Sequence, residues 1–595
     1  MFGGLPFALP PATRPGECHN LAQRQLAYRA ERNETALTTT NVNTTSFGLV
    51  CKFQLSTLTG YSGKWSHQVY AQPLVVSNSD GSMTVYVVTH DDVVIAFTIP
   101  STWNGQSCTG ISYTVRDLLA GTSPQQYPAD CCYLGGKASG CPTINPTVGV
   151  LGTPVIDTTN NTLYLVAESQ SGQPNTYNPG PQGGVCPTDN SPTAWYHYMH
   201  ALDPTTLQEK TSYGSPVQVY PPGNTNPSLW SENHIQRPGL LHLPGPETPY
   251  TKTTYAAFSM MDGAGFPYPD GWVFGYNATN LGQTPNTFGT TPGTGTNGGG
   301  IWQDGAGLAA GISQQNGSTY LFFTTGNGTW DGSQDWGDSV LKLTTDLSAV
   351  ADSFTPSDQF WRACEFNDED LGSGGEFLIP DGTLPTNYPY LGFSADKEGG
   401  IWAVNRASMG GFNIGNCSPT DCNSSCSPAN QNNMNAQTKW ITNGHFHTTG
   451  AYWQGAGTYG SIYYAGNTVP SMTRYQLCDT PGSPICGGDG TPNTDPNITF
   501  AGGATPSISS HGTQSGTGLL WATRAQNPPL GGSNAVLYAL DAVSMATKYD
   551  SSKCPTRDPM APGTKFSVPT IANGYVFVGT QSELNIFGLT SSKCQ

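Results

Sequence analysis

Apolar runs recur along this chain in one order. A short segment carrying Pro or Gly leads into an apolar stretch, a β-rich run follows, and a polar turn separates it from another apolar strand. The first instance is YAQPLVV (70–76), TVYVVTHDD (84–92) and VVIAFTI (93–99). The second is LGTPVID (151–157), TLYLVAES (162–169) and YHYMHALDP (196–204). The third is QRPGLLHL (236–243), TYAAFSMMD (254–262) and GWVFGYNAT (271–279), and further units begin at 303, 371, 447, 503 and 566. Short alternating or fully apolar runs bounded by Gly, Pro and Asn are the signature of strands. One sheet that is apolar on both faces cannot bury itself, whereas eight packed face to face around an axis can.

The pattern therefore predicts an all-β, eight-bladed β-propeller. Each unit supplies three strands, and a fourth, outer strand falls in the connection to the next unit. The eighth unit lacks that segment because the chain ends at Gln595, while the first is preceded by an extra strand, SFGLVCKFQLS (46–56). This N-terminal strand is expected to complete the eighth blade and close the ring, which hides the edges of an open array. The expected organisation is an N-terminal extension (1–45), a single propeller domain (46–590) and a short tail (591–595). A pair of β-sandwiches, the competing architecture, would not repeat one motif order throughout. The stretches 287–300 and 411–440 read as long loops between strands.

Composition agrees with many short strands and tight turns: charged residues are 11%, Gly numbers 73 and Pro 47. The net charge of −17 repels nucleic acid and anionic lipid, so no nucleic-acid partner is expected. No apolar run approaches the roughly 20 residues of a spanning helix, so no membrane span is expected. Fifteen cysteines, some in loops such as Cys478 and Cys486, and frequent N-x-S/T sequons from Asn33 to Asn497 favour an oxidising route. The expectation is a secreted, extracellular glycoprotein with disulfides. The start, MFGGLPFALPP, lacks the basic and apolar regions of a leader, so a leader already removed or a truncated start is expected.

In a propeller the innermost strands line the axis, and the loops beside them crowd the channel mouth. The polar residues placed there are His90, Asp91, Glu168, Arg237, Asp262, Asp304, Asn327, Asp370, Asp396, Lys397 and His447. Several carboxylates, an amide and a Lys form the donor set for a hard, oxygen-liganded cation beside a polar carbonyl ligand. A wet, polar channel with no ligand is the plainer reading of any one of them.

Segments such as VYAQPL, GTPVID, RPGLL, GIWQ, TGNGTWD, DLGSGG, DKEGGIW and KFSVPTIANGYVFVGT give the chain, over about 36–590, a resemblance to secreted PQQ-like propeller repeat proteins. These lie within the quinoprotein alcohol dehydrogenase-like group, whose enzymes bind pyrroloquinoline quinone (PQQ). The resemblance implies PQQ and Ca²⁺ in the central channel. It assigns Glu168 in LYLVAES, Asn327 in TTGNGTW and Asp370 in NDEDLGSGG to the metal. Asp370 is also the implied catalytic base, with Asp368 as its competitor. Lys397 in ADKEGGIW meets the quinone oxygen, Trp302 in GGGIWQDG stacks beneath the ring, and Thr153 in GTPVID completes the cofactor contacts.

The group's adjacent-cysteine disulfide beside the quinone matches Cys131 and Cys132 in DCCYLGG; the alternative is that each is joined elsewhere, for instance to Cys108 and Cys141. The chain departs from the group after Glu168, where it inserts a long Gly/Pro loop (170–194). Asn327 also begins a sequon, and a glycan there would exclude a channel role. No C-x-x-C-H motif occurs, so no c-type haem is expected and electrons would pass to a separate acceptor. The loop cysteines Cys417, Cys422 and Cys426 read as disulfide partners rather than a metal site, and His445 with His447 is a weak metal pair. The implied activity is oxidation of a small-molecule alcohol or carbohydrate hydroxyl. The alternative is a cofactor-free secreted propeller that serves as a binding or structural module.

Overall fold

A computed structural model describes residues 32–62, 67–130, 144, 147–172, 193–245, 252–260, 271–293, 298–313, 316–359, 369–412, 438–441, 446–466, 472–486, 500, 503–525 and 534–594. Its strands fall into eight sheets arranged as the blades of a propeller. Blade 1 is built from Leu74–Ser77, Met83–Val88, Val93–Ile99 and Ser112–Asp117, paired in that order. Blades 2 to 7 follow in sequence, with inner segments at Val155–Asp157, Leu241–Leu243, Ala309–Ile312, Phe377–Leu378, Ala451–Trp453 and Ser507–Ser510. In blades 1 to 7 the fourth strand lies in the connection to the next blade, as the repeat predicted.

The period of two explains why a ring is needed. In Val93–Ile99, Val93, Ile95 and Phe97 pack with Phe577 and Ile586 of blade 8. The intervening Val94 and Ala96 pack with Ile156, Leu163 and Leu165 of blade 2. Successive side chains of a strand point to opposite faces, so each blade has two apolar faces and needs two neighbours. Burying one such Val, Leu, Ile or Phe contributes about 1.5–3 kcal/mol.

Tyrosines in the second strand of several blades add a bond to the next blade. Tyr86 donates to Pro204 O at 3.0 Å, Tyr164 to Ala278 O at 2.7 Å, Tyr255 to Thr345 O at 2.7 Å and Tyr463 to Ala542 O at 2.6 Å. Each satisfies a phenol that would otherwise be buried without a partner.

Closure falls where the repeat placed it. Phe47–Gln54 pairs antiparallel with Glu583–Leu589, from Phe47 opposite Leu589 to Gln54 opposite Glu583, with a bulge between Leu49 and Cys51. The extension also contributes, because Arg32–Asn33 runs parallel to Ser509–Ser510 of blade 7, and Leu37 and Val42 are buried between blades 7 and 8. Among the described residues, three disulfides join Cys51 to Cys108, Cys478 to Cys486 and Cys554 to Cys594. The first ties the closing strand to blade 1, and it corrects the expectation that Cys108 is open to Cys131 or Cys132. Cys131 and Cys132 lie outside the described residues, as do Cys417, Cys422 and Cys426. No helix among the described residues is long and apolar enough to cross a membrane.

Candidate functional site

Three residues from blades 4 and 5 come together at one carboxylate. Asn327 follows the strand Thr319–Thr324, Asp370 leads into a short turn before the inner strand of blade 5, and Lys397 sits in the hairpin between Leu391–Ala395 and Gly400–Asn405. Asp370 Oδ1 accepts the Asn327 backbone N–H at 2.8 Å, and its Oδ2 pairs with Lys397 Nζ at 2.5 Å. The Lys397 amide closes the group on the Asp370 carbonyl at 3.2 Å. Glycine makes the approach possible: a Cβ on Gly326 would stand 2.7 Å from Asp370 Oδ1, and one on Gly298 would stand 2.2 Å from the Asn327 carbonyl oxygen. The Asp370 side chain keeps 25% of its surface and Lys397 10%, so the carboxylate is reachable from solvent.

A second group lies beside it. Trp302 packs, half-buried, against Tyr70, Leu151, Trp195 and Ile235. Its indole N–H donates to Asp304 Oδ1. Gln303 and Asp304 both adopt left-handed backbone, with φ of 52° and 33°. Strain of this kind in non-glycine residues concentrates at functional sites. Burial pushes the Asp304 carboxyl up to about 8, against the pull of Arg237, the Trp302 bond, Lys397 and Lys565. His447 Nδ1 stands 4.0 Å from its second oxygen.

Arg237 is fully buried, with its guanidinium carbon 5.4 Å from the centre of the Phe566 ring. Burial holds its pKa below the usual value, opposed by Asp304 and Tyr70. Next to it the His90 ring stacks on Tyr70, centroids 4.4 Å apart and planes 6° apart. Burial, and then the Arg237 charge, lowers the His90 pKa to about 3, so this imidazole is neutral.

Glu168 stands in a third group. Its carboxylate is buried, Oε2 lies 3.2 Å from His197 Nε2 without hydrogen-bond alignment, and neither oxygen finds a hydrogen-bond partner. Burial alone raises its pKa well above the carboxylate range and lowers that of His197 to about 3. No hydrogen bond or ion pair joins Glu168 to Asn327 or Asp370. Thr153 receives the Gln72 N–H on its hydroxyl at 3.1 Å, a contact from blade 2 to blade 1.

The sequence therefore brought Asn327, Asp370 and Lys397 to one point, and Trp302, Asp304, Arg237 and His447 to another. Two further candidates, Asp396 and Asp91, have their carboxylates engaged by neighbouring side chains and backbone. Asp396 is spent inside blade 5, accepting from Gly400 N and Trp402 Nε1, both at 2.6 Å. Asp91 binds His67 Nδ1 at 2.9 Å and the Tyr61 hydroxyl at 3.1 Å. Asp262, Asp368 and His445 lie outside the described residues. The reading missed Tyr70, His197, Lys565 and Phe566, and only the recurring position of the last two, just before an inner strand, signalled them. Among the described residues, no three His, Cys, Asp or Glu side chains gather as a metal site.

No protein-family model and no curated protein matches this chain. Among solved structures, the chain is similar to a quinohemoprotein alcohol dehydrogenase from Pseudomonas putida HK5, at 11% identity and a TM-score of 0.53, over 95% of this chain and 79% of that one. A europium-containing methanol dehydrogenase aligns at 12% identity and a TM-score of 0.49, over 97% of this chain and 98% of that one. The quinohemoprotein alcohol dehydrogenase of Comamonas testosteroni gives 12% and 0.48, over 98% and 81%. The first likeness is one of fold alone, and it agrees with the eight-bladed propeller seen here.

Proposed function

We propose that the chain is a secreted quinoprotein-type dehydrogenase that oxidises the hydroxyl of a small alcohol or carbohydrate with PQQ in its central channel. The observation that carries this is the meeting of Asn327, Asp370 and Lys397, from two blades, on one solvent-reachable carboxylate. The groups present suit a planar quinone. Trp302 offers a half-buried ring for stacking, held in orientation by its bond to Asp304. A bound quinone supplies the hydride acceptor.

The chain's own part is proton handling and charge. Asp370, reached by the Asn327 N–H and by Lys397 and keeping a quarter of its side-chain surface, is placed to receive a substrate hydroxyl proton. Lys397, adjacent, provides a fixed positive charge toward a developing oxyanion. Calcium enters the reading through Glu168, a buried carboxylate with both oxygens unpartnered, which is hard-cation chemistry. Its ligand set is not assembled here, since Glu168 is joined to neither Asn327 nor Asp370. Electrons leave to a separate acceptor. The sequons and disulfides support an extracellular setting.

A cofactor-free binding propeller is the competing reading, favoured by the His197 ring that flanks Glu168 where a cation would be expected. One experiment separates the two. The full chain is mixed with PQQ, with and without Ca²⁺, and dye reduction is followed with alcohols and sugars. Uptake of PQQ and turnover support the enzyme, and failure to take up PQQ sinks it. In the active protein, Asp370→Asn should lower the rate by about 10²–10⁴ while leaving PQQ binding intact. Unchanged turnover would remove Asp370 as the base.

A further inference from the structure

Arg237 carries a buried charge that its surroundings leave unanswered. It opens the inner segment of blade 3 in QRPGLL and is fully buried. Its Nε, Nη1 and Nη2 find no hydrogen-bond partner, although a guanidinium has five N–H donors to place. Among the described residues it makes no ion pair. Asp304, the acidic group whose charge would act on it, already accepts the Trp302 indole N–H.

The residues around it are also short of acceptors. Lys565 is a second cation acting on Asp304, and the Phe566 ring lies 5.8 Å from Lys565 Nζ and 5.4 Å from the Arg237 guanidinium carbon. Phe566 adopts left-handed backbone, φ 60°, to hold that place. The Tyr70 hydroxyl, buried beside Arg237, has no hydrogen-bond partner either. Lys397 has Asp370 for its charge, whereas Arg237 and Lys565 share one carboxylate.

We propose that the hub of the ring holds a binding site for a small carboxylate, gripped by Arg237 and Lys565 with the Tyr70 hydroxyl as a further donor. A carboxylate matches the planar fork of a guanidinium with two parallel N–H···O bonds. The guanidinium nitrogens are sealed from solvent, so the ligand takes the place over them that the Phe566 ring now holds. The site does not depend on the dehydrogenase reading. A free carboxylate has the required chemistry, and so has the carboxyl group of a larger planar ligand.

The test uses the dialysed full chain in chloride-free buffer near pH 7, titrated with sodium acetate by calorimetry. One saturable site per chain is expected. Arg237→Gln should weaken acetate at least about tenfold, the worth of one charge-assisted hydrogen bond, and Lys565→Gln should weaken it about threefold or more. In a second titration at pH 9, above the Asp304 pKa of about 8, Asp304→Asn should tighten acetate relative to the parent, because an ionised internal competitor for both cations is gone. Absence of saturable binding, or equal binding by Arg237→Gln and Lys565→Gln, overturns the site. If Arg237→Gln does not fold, Lys565→Gln and Asp304→Asn decide by their opposite directions. A separate titration with PQQ distinguishes the sources: competition with acetate assigns the carboxyl to the larger ligand. Acetate binding without PQQ binding leaves the anion site standing while the dehydrogenase reading falls.

Discussion

At the ring closure and at the hub, the same two side chains are buried side by side with opposite outcomes. Arg557 and Asp558 bond each other through Nε to Oδ1 at 2.8 Å and Nη2 to Oδ2 at 2.7 Å. The remaining guanidinium donors reach Thr44 O, Ser592 O and Phe47 O, while Asp558 receives Leu49 N–H at 3.0 Å and the Tyr549 hydroxyl at 2.5 Å. The bond to Asp558, against the opposing effect of burial, raises the Arg557 pKa. Arg237 and Asp304 share burial but no bond, and burial drives both toward neutrality. Burial alone therefore does not say what a charged pair is for. A pair whose donors and acceptors are all used fastens the closing strand, whereas a pair with donors to spare is built for something that arrives.

The contrast predicts its largest effect at the closure. Arg557→Met leaves the Asp558 carboxylate buried with one fewer partner and unties Phe47 and Thr44 from the loop before blade 8. The expected loss is about 3–5 kcal/mol, read as a lowered urea midpoint. A loss below about 1 kcal/mol would mean that strand pairing and the Cys51–Cys108 link close the ring unaided.

A smaller effect concerns protons. The folded-state pKa of Asp304 is raised to about 8, so between about pH 4 and 8 the folded chain holds a proton that the unfolded chain has released. This contribution to stability is fully present below about pH 4 and is lost as pH rises through 8. His90 and His197, with pKa values lowered to about 3, act in the opposite sense below about 6.5, so the total profile mixes the two. The difference between Asp304→Asn and the parent isolates the carboxyl. The variant should gain on the parent as pH rises from 4 to 8, by at most about 1.4 kcal/mol per pH unit. A pH-independent difference would show that Asp304 is ionised in the fold.

What was legible in the sequence divides along the same line. Blade number and closing strand were legible because alternation of period two is a local property, and eight units leave one strand missing at the end. The meeting of Asn327, Asp370 and Lys397 was legible because all three sit at fixed offsets from blade strands. Asp396 occupies a mouth-like offset too, but its carboxylate is bonded by the neighbouring indole of Trp402. Whether a partner exists across the ring depends on packing between residues far apart in the chain. Thus neither the Cys51–Cys108 pair nor the unanswered state of Arg237 is written in any segment.

The smallest effect is the sharpest test of the comparison. Arg237→Met removes a guanidinium that bonds nothing and replaces it with an apolar chain of similar reach, beside a carboxyl that burial already favours in its neutral form. Losing such a charge is expected to change stability by no more than about 1 kcal/mol, or to raise it, because the desolvation cost of the cation is relieved. Urea midpoints of Arg237→Met and Arg557→Met, taken in the same buffer, make the contrast direct. Acetate extends it. A ligand that binds only the folded parent stabilises it by RT ln(1 + [L]/Kd), about 2.7 kcal/mol at a hundred times Kd. The Met variant, binding at least about tenfold more weakly, should gain no more than about 1.4 kcal/mol from the same addition. If Arg237→Met instead costs as much as Arg557→Met with no acetate present, the hub pair is a structural fastener and the distinction between the two regions fails.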